Sequence, residues 1–316
     1  MPGDDHRDYL SHIETFPGFI RYYGAIPAKF FPTDPITALK IYYYSTPIFV
    51  FLGLYYTLRE YSWWAPTLAW ITLFFLTPVI LQDMEAGTFI GIIGFYFTYL
   101  ILLKLSLRTD NPIITSLILA TGILFHTLTG VALAISYIAS RKPNIKNWIP
   151  LIIPGTIGII WGLFFSASTA AILGILNYTY TDEMTLILFL KQYLGVSTLM
   201  FLTLSLLMVY NVFKFRVIRD RFVYGLLGLI PAFIFLSFSP YHLNSDRLSK
   251  LLVGTLVIIS VIGITKALEE VKNKYPKAKT LLQTSTLSIV LLLLWNTAIA
   301  QFNFWMGLGV YVFPIL

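Results

Sequence analysis

Nine apolar runs, each close to or above the length that crosses a bilayer, fill most of this 316-residue chain. They lie at about 43–59, 64–82, 87–106, 112–139, 147–176, 184–213, 222–239, 248–268 and 280–301. A membrane-spanning helix needs about 20 predominantly apolar residues. In hydrocarbon every backbone N–H and C=O must be paired within the protein, so only helices and closed barrels span a membrane. The runs are continuous rather than alternating, which is the helical pattern. The sequence therefore predicts an all-α, polytopic integral membrane bundle of about nine transmembrane helices, with eight to ten compatible with the run lengths. Charged residues make up 12% of the chain, half of the roughly 25% typical of soluble domains.

Residues 1–42 form an N-terminal lead-in of mixed charge, residues 43–301 the bundle, and residues 302–316 an apolar tail too short to span. The lead-in lacks the charged and apolar regions of a signal peptide. Its aromatic and basic stretch FPGFIRYYGAIPAKFF suits the membrane surface. The fourth, fifth and sixth runs exceed what about 30 Å of hydrocarbon needs and are expected to tilt, kink or protrude. Pro78, Pro154 and Pro231 are the expected kink points, because each removes a backbone donor. Gly91 and Gly94 offer a face for close helix packing.

Nine spans divide the basic residues unevenly. The N-terminal side with loops 2–3, 4–5, 6–7 and 8–9 carries 16 of the 22 Lys and Arg. The positive-inside rule then places a multi-pass protein in the cell membrane with a cytoplasmic N-terminus and an outer C-terminus. The sequon Asn177-Tyr178-Thr179 falls in an outer loop on that count. The net charge of +7 reflects these loops rather than nucleic-acid binding.

The chain has no cysteine and four histidines. That excludes thiolate-held Fe–S clusters, thiolate zinc sites and c-type haem. Bis-histidine haem b needs two intramembrane histidines, and only His126 lies inside a run. No intrinsic haem, Fe–S cluster or other metal is expected. No P-loop, GxSxG, HExxH or paired-carboxylate motif occurs, and no catalytic residue is assigned. Intramembrane ionisable groups are functional candidates because their burial is costly. His126 stands near the middle of the fourth run in LFHTLTGVAL, and Lys191 about two turns into the sixth, followed by Gln192 and Tyr193. An imidazole there can donate to a quinone carbonyl or relay a proton. A neutral imidazole bonded to a neighbouring helix is the structural alternative for His126, and snorkelling toward Asp182 or Glu183 is the one for Lys191.

Residues 125–176 carry a further pattern: Thr129-Gly130, the basic pair Arg141-Lys142, Trp148, Pro150, Pro154 and the small residues Ser166–Ser168. In this the chain resembles the NrfD / polysulfide-reductase membrane-subunit family. Two departures are Leu128, where the family usually has an aromatic hydroxyl, and the basic segment LLKLSLR in place of an acidic turn. The resemblance implies a subunit without cofactors of its own metal that exchanges electrons with bound quinone or quinol. It also implies partners: an Fe–S subunit and a catalytic redox subunit, often with molybdopterin. The quinone-binding or proton-relay cluster would comprise His126, Thr127 and Thr129, with Lys191 and Tyr193 contributing. Two other readings stand beside it: a transporter or permease built on proline-broken helices, and a haem-free hydrophobic anchor of an archaeal b-type cytochrome complex.

Overall fold

A computed structural model of the protein describes residues 23–76, 89–141, 144–165, 220–238 and 245–274. Every regular element among them is helical and none is a strand, so the fold is all-α. The first long helix, α1 (Pro35–Leu58), starts inside the lead-in. Asp34 is its cap, accepting from the Thr37 N–H at 3.0 Å, and Pro35 takes a first-turn position where a missing N–H costs nothing. After a turn, α2 (Ala65–Ile71) continues into a π-helical turn at Thr72–Leu76. The indole N–H of Trp70 ties it back to α1 by donating to the Pro47 carbonyl at 2.9 Å.

Helix α3 (Phe89–Arg108) crosses the middle of the bundle, and its central stretch Gly94–Tyr99 is π-helical. The wider π turn pushes the Tyr96 carbonyl toward α1, which approaches there through Gly53. A Cβ on Gly53 would fall on that carbonyl and 2.7 Å from the Phe97 Cα.

The fourth apolar run is not one helix. It forms α4 (Pro112–Phe125) and α5 (Thr127–Ser140), separated by His126 in an extended conformation at φ −162° and ψ 130°. The two arms fold back on each other. Arg141, just past α5, lies 3.3 Å from the Asp110 carboxylate just before α4, and it donates to the Ser106 and Thr109 carbonyls. A straight 28-residue helix would hold its ends about 42 Å apart. The expected single span is therefore corrected to a helical hairpin with both ends on the same side of the bundle. Its crossing is made possible by Gly122 and Gly130. A Cβ on Gly130 would lie 2.6 Å from the Ile123 Cα and 2.8 Å from the Ile123 nitrogen.

Beyond the hairpin, a short α6 (Ile145–Trp148) capped by Asn144 passes through a 3-10 turn at Ile149–Leu151 into α7 (Ile152–Phe165). Pro154 thus lies in the first turn of a helix rather than inside one, and the change of geometry falls on the turn before it. Helix α8 (Arg221–Phe238) begins on Asp220, which accepts from the Phe222 N–H at 2.8 Å, and contains Pro231. Helix α9 (Ser245–Lys274) packs against α8 and α2. Pro78 and the sixth and ninth apolar runs lie outside the described residues.

The buried core joins α1, α2, α3, α5, α8 and α9 through residues such as Leu54, Leu73, Tyr99, Leu133, Leu226 and Ile258. Two described stretches, Phe89–Arg108 and Leu251–Lys274, are long and apolar enough to cross a membrane. Helix α1 turns Ile41, Tyr44, Ile48, Leu52 and Tyr55 outward, a spacing of three to four residues that marks one continuous exposed face.

One end of the bundle is closed by a polar clamp. Lys104 of α3 is buried, donates to the Thr57 carbonyl at 2.8 Å and pairs with Glu60 at 2.6 Å. Its ammonium also stands over the rings of Tyr61 and Phe222, at 6.0 and 5.7 Å. Glu60 takes a second ion pair from Arg108, and the Tyr61 hydroxyl donates to the Asp220 carboxylate. Partial burial pushes the Glu60 carboxyl upward, but the Lys104 hydrogen bond and the charges of Lys104, Arg108 and Arg59 outweigh it and hold it below its usual range. Lys104 is thus an interior residue that fastens the starts and ends of three helices.

Candidate functional site

Among the described residues, the site expected from sequence is centred on the hairpin apex. His126 is the apex residue, about 9% exposed, with its backbone N–H bonded to the Gly122 carbonyl at 3.2 Å. Its carbonyl accepts from the Gly130 N–H at 3.1 Å. The ring lies beside α3 where α3 lacks side chains. A Cβ on Gly91 would stand 3.8 Å from His126 Nε2, and one on Gly94 would stand 3.4 Å from His126 Cβ. The expected packing face of Gly91 and Gly94 is therefore where the apex packs onto α3, and a Cβ on Gly94 would also stand 2.5 Å from Thr129 Oγ1. The apex lies about 21 Å down each 14-residue arm from the Asp110–Arg141 end.

Thr129 sits one turn into α5 and is 2% exposed. Its hydroxyl is turned toward Gly94 and makes no hydrogen bond among the described residues. Buried hydroxyls elsewhere, such as those of Thr57, Thr255 and Thr265, donate to the carbonyl four residues back in their own helix. For Thr129 the residue four back is Phe125, which belongs to the other arm of the hairpin. The extended apex has taken away its local acceptor.

The same break exposes the first backbone N–H groups of α5, which have no preceding turn to bond. Helices α1, α4, α6 and α8 begin on Asp or Asn side chains that accept from such groups. Helix α5 begins on His126, which makes no side-chain cap bond. The arrangement therefore collects hydrogen-bond donors in an apolar interior: the α5 first-turn amides and the Thr129 hydroxyl, with the His126 imidazole beside them. Such a set can receive a carbonyl or anionic oxygen.

Of the other expected site residues, Thr127 is the first residue of α5, and its side chain lies outside the description, as do Lys191 and Tyr193. The structure brings His126 and Thr129 to one place. Three residues that shape the hairpin were not assigned a role there from sequence. Gly122 and Gly130 stand four positions either side of His126, a symmetry that marks a close crossing of two arms, and Tyr99 braces α5 by a 2.8 Å hydrogen bond to Ser136. No His, Asp or Glu cluster able to hold a metal occurs among the described residues.

Comparison with known proteins gives no match to a family model, to a curated protein or to a solved structure.

Proposed function

We propose that the chain is a multi-pass membrane subunit of a respiratory oxidoreductase complex. It binds quinone or quinol at the hairpin apex and exchanges electrons with Fe–S and molybdopterin-type partner subunits. The observation that carries this reading is the placement of His126 and Thr129 together at an interior helix break against Gly91 and Gly94. A quinone needs an apolar slot with few, well-placed donors at its carbonyls. Non-helical backbone at membrane depth is tolerated only where protein or a cavity surrounds it, and such places house function. The resemblance carried by Thr129-Gly130 and the following segment points the same way. Purification in mild detergent tests it: the chain is expected to bring an Fe–S subunit and extractable quinone. A chain that emerges alone and free of quinone overturns the reading.

The exposed apolar face of α1 and the two long apolar helices support a bilayer setting. With 112–140 as a re-entrant hairpin, the sequence supplies eight crossings. The turns at 59–64, 109–111 and 141–146 then share one side, and fifteen of the 22 Lys and Arg belong to that side. The positive-inside rule makes it cytoplasmic and places both termini outside. This reverses the N-terminal orientation that nine single spans implied. The absence of cysteine makes the test clean. Trp63→Cys and Ile145→Cys, both at exposed positions, are expected to react with an impermeant maleimide from the cytoplasmic face alone. Labelling of the two from opposite faces restores the single span.

A transporter is the second reading, favoured by the hairpin itself, because discontinuous helices form midplane sites in that class.

A further inference from the structure

We infer that the end of the bundle closed by the polar clamp is a docking surface for anionic phospholipid headgroups, centred on Arg59 and Lys146. This rests on the membrane reading and adds which lipid that end selects. Two outward apolar rows carry it. The first is the exposed face of α1, which ends at Tyr55. The second runs from α6 through the 3-10 turn into α7. Its residues Ile145, Trp148, Ile149 and Ile152 are all exposed and fall at the spacing of one helical face. The rows belong to separate parts of the chain, yet both stop at one end of the bundle. Arg59 follows α1 directly, and Glu60 beside it pairs with Arg108 at the end of α3. Asp110, two residues on, meets Arg141. Asn144, the cap of α6, is three residues past Arg141, a reach of at most about 11 Å.

Each row meets a cation at that end. The Arg59 guanidinium stands over the Tyr55 ring at 5.4 Å, so the last aromatic of the α1 row carries it. Lys146 is exposed at the start of the second row. Neither Arg59 nor Lys146 forms an ion pair among the described residues. The neighbouring carboxylates are already engaged: Glu60 by Lys104 and Arg108, Asp110 by Arg141, and Asp220 by the Tyr61 hydroxyl. Positive charge is therefore left over at this end. Trp63 and Trp148 stand there too, 84% and 54% exposed. Indoles beside cations at the margin of an apolar face suit the headgroup layer, where the ring rests at the edge of hydrocarbon and the charge meets phosphate. An acidic protein partner would answer the cations but leave the two rows, which continue along α1 and α7, uncovered. A bilayer leaflet with anionic headgroups supplies both contacts at once.

Native mass spectrometry of the purified full-length protein, with whatever partners it retains, tests this. The protein in detergent is given equimolar phosphatidylglycerol and phosphatidylcholine of the same acyl chains, and the lipid adducts are counted. One cation near an anionic lipid surface is worth about fivefold in association, so phosphatidylglycerol adducts are expected to lead by at least about fivefold. Arg59→Gln combined with Lys146→Gln is expected to cut that lead severalfold, and Arg59→Lys combined with Lys146→Arg to keep it. Equal adducts of the two lipids overturn the anionic surface and leave the membrane reading standing. A protein that keeps neither lipid and stays monodisperse without detergent overturns the membrane reading itself. An undiminished lead in the glutamine variant moves the headgroups away from these two side chains, and loss of a protein subunit in place of lipid makes the occupant a protein. Either result overturns the proposal. Both side chains are exposed, so the variant is expected to fold; should it not, Lys146→Gln alone carries the same comparison.

Discussion

Gly130→Val is expected to destabilise the bundle by about 3 kcal/mol or more, the upper range for forcing side-chain volume into a packed interior. The new Cβ alone would lie 2.6 and 2.8 Å from the Ile123 Cα and nitrogen, and its methyls would add to the overlap. Those are backbone atoms of α4, so no rotamer change relieves the clash. Either the hairpin arms separate or α5 leaves its place against α3 and α8. Since whole domains are stable by only about 5–15 kcal/mol, most folded protein should vanish from detergent extracts. The thermal midpoint of what remains should fall by many degrees. Gly155→Ala is the matched control, because a Cβ there meets nothing within 4 Å, and its midpoint should stay within a degree or two of the parent. A Gly130→Val protein that extracts and melts like the parent sinks the hairpin crossing.

On the proposed quinone reading, His126→Leu carries the largest expected effect on activity. Leucine keeps an apolar side chain of similar reach beside Gly91, so the bundle should assemble. It removes an imidazole, a group able to pass a proton near neutral pH. Proton transfer by a placed side chain typically contributes about 10²–10⁴-fold, so quinone-linked turnover of the complex should drop by at least about a hundredfold. Electron transfer to an artificial acceptor through the partner subunits should be little changed. Unchanged quinone turnover would reduce His126 to a packing residue at the apex.

The fold class was legible in the sequence because it follows from solvent: runs this long and apolar have one way to pair their backbone. Caps were legible too in principle, since Asp34-Pro35 and Asn111-Pro112 are local chemistry. The hairpin was not, for a physical reason. His126 sits between Phe125 and Thr127 with apolar residues on both sides, and no proline or glycine occupies the turn itself. Hydropathy averages over a window and sees one long run. What the sequence did hold was indirect: a run of about 28 residues against roughly 30 Å of hydrocarbon, glycines placed symmetrically about His126, and opposite charges at Asp110 and Arg141. Each is common alone, and only the 3.3 Å contact between the two charges joins them. The site shared that fate. His126 and Thr129 stood out as polar residues in an apolar run, yet the loss of Thr129's acceptor depends on an extended residue that composition does not announce. The burial of Lys104 was not legible either, because a lysine near a helix end looks solvated until Glu60 and the Thr57 carbonyl are found on either side of it.

The shortness of the hairpin arms also constrains how the protein is made. An arm of 14 residues reaches about 21 Å, less than a bilayer, and its apex carries amide groups that lipid cannot satisfy. Neither arm qualifies as an independent insertion unit. The pair has to slip in against a wall that already stands, and chain order supplies one, since α1 and α3 leave the ribosome first. On the proposed membrane reading, biogenesis is therefore sequential: the long rods enter as separate spans, and the hairpin is the first piece placed by protein rather than by lipid.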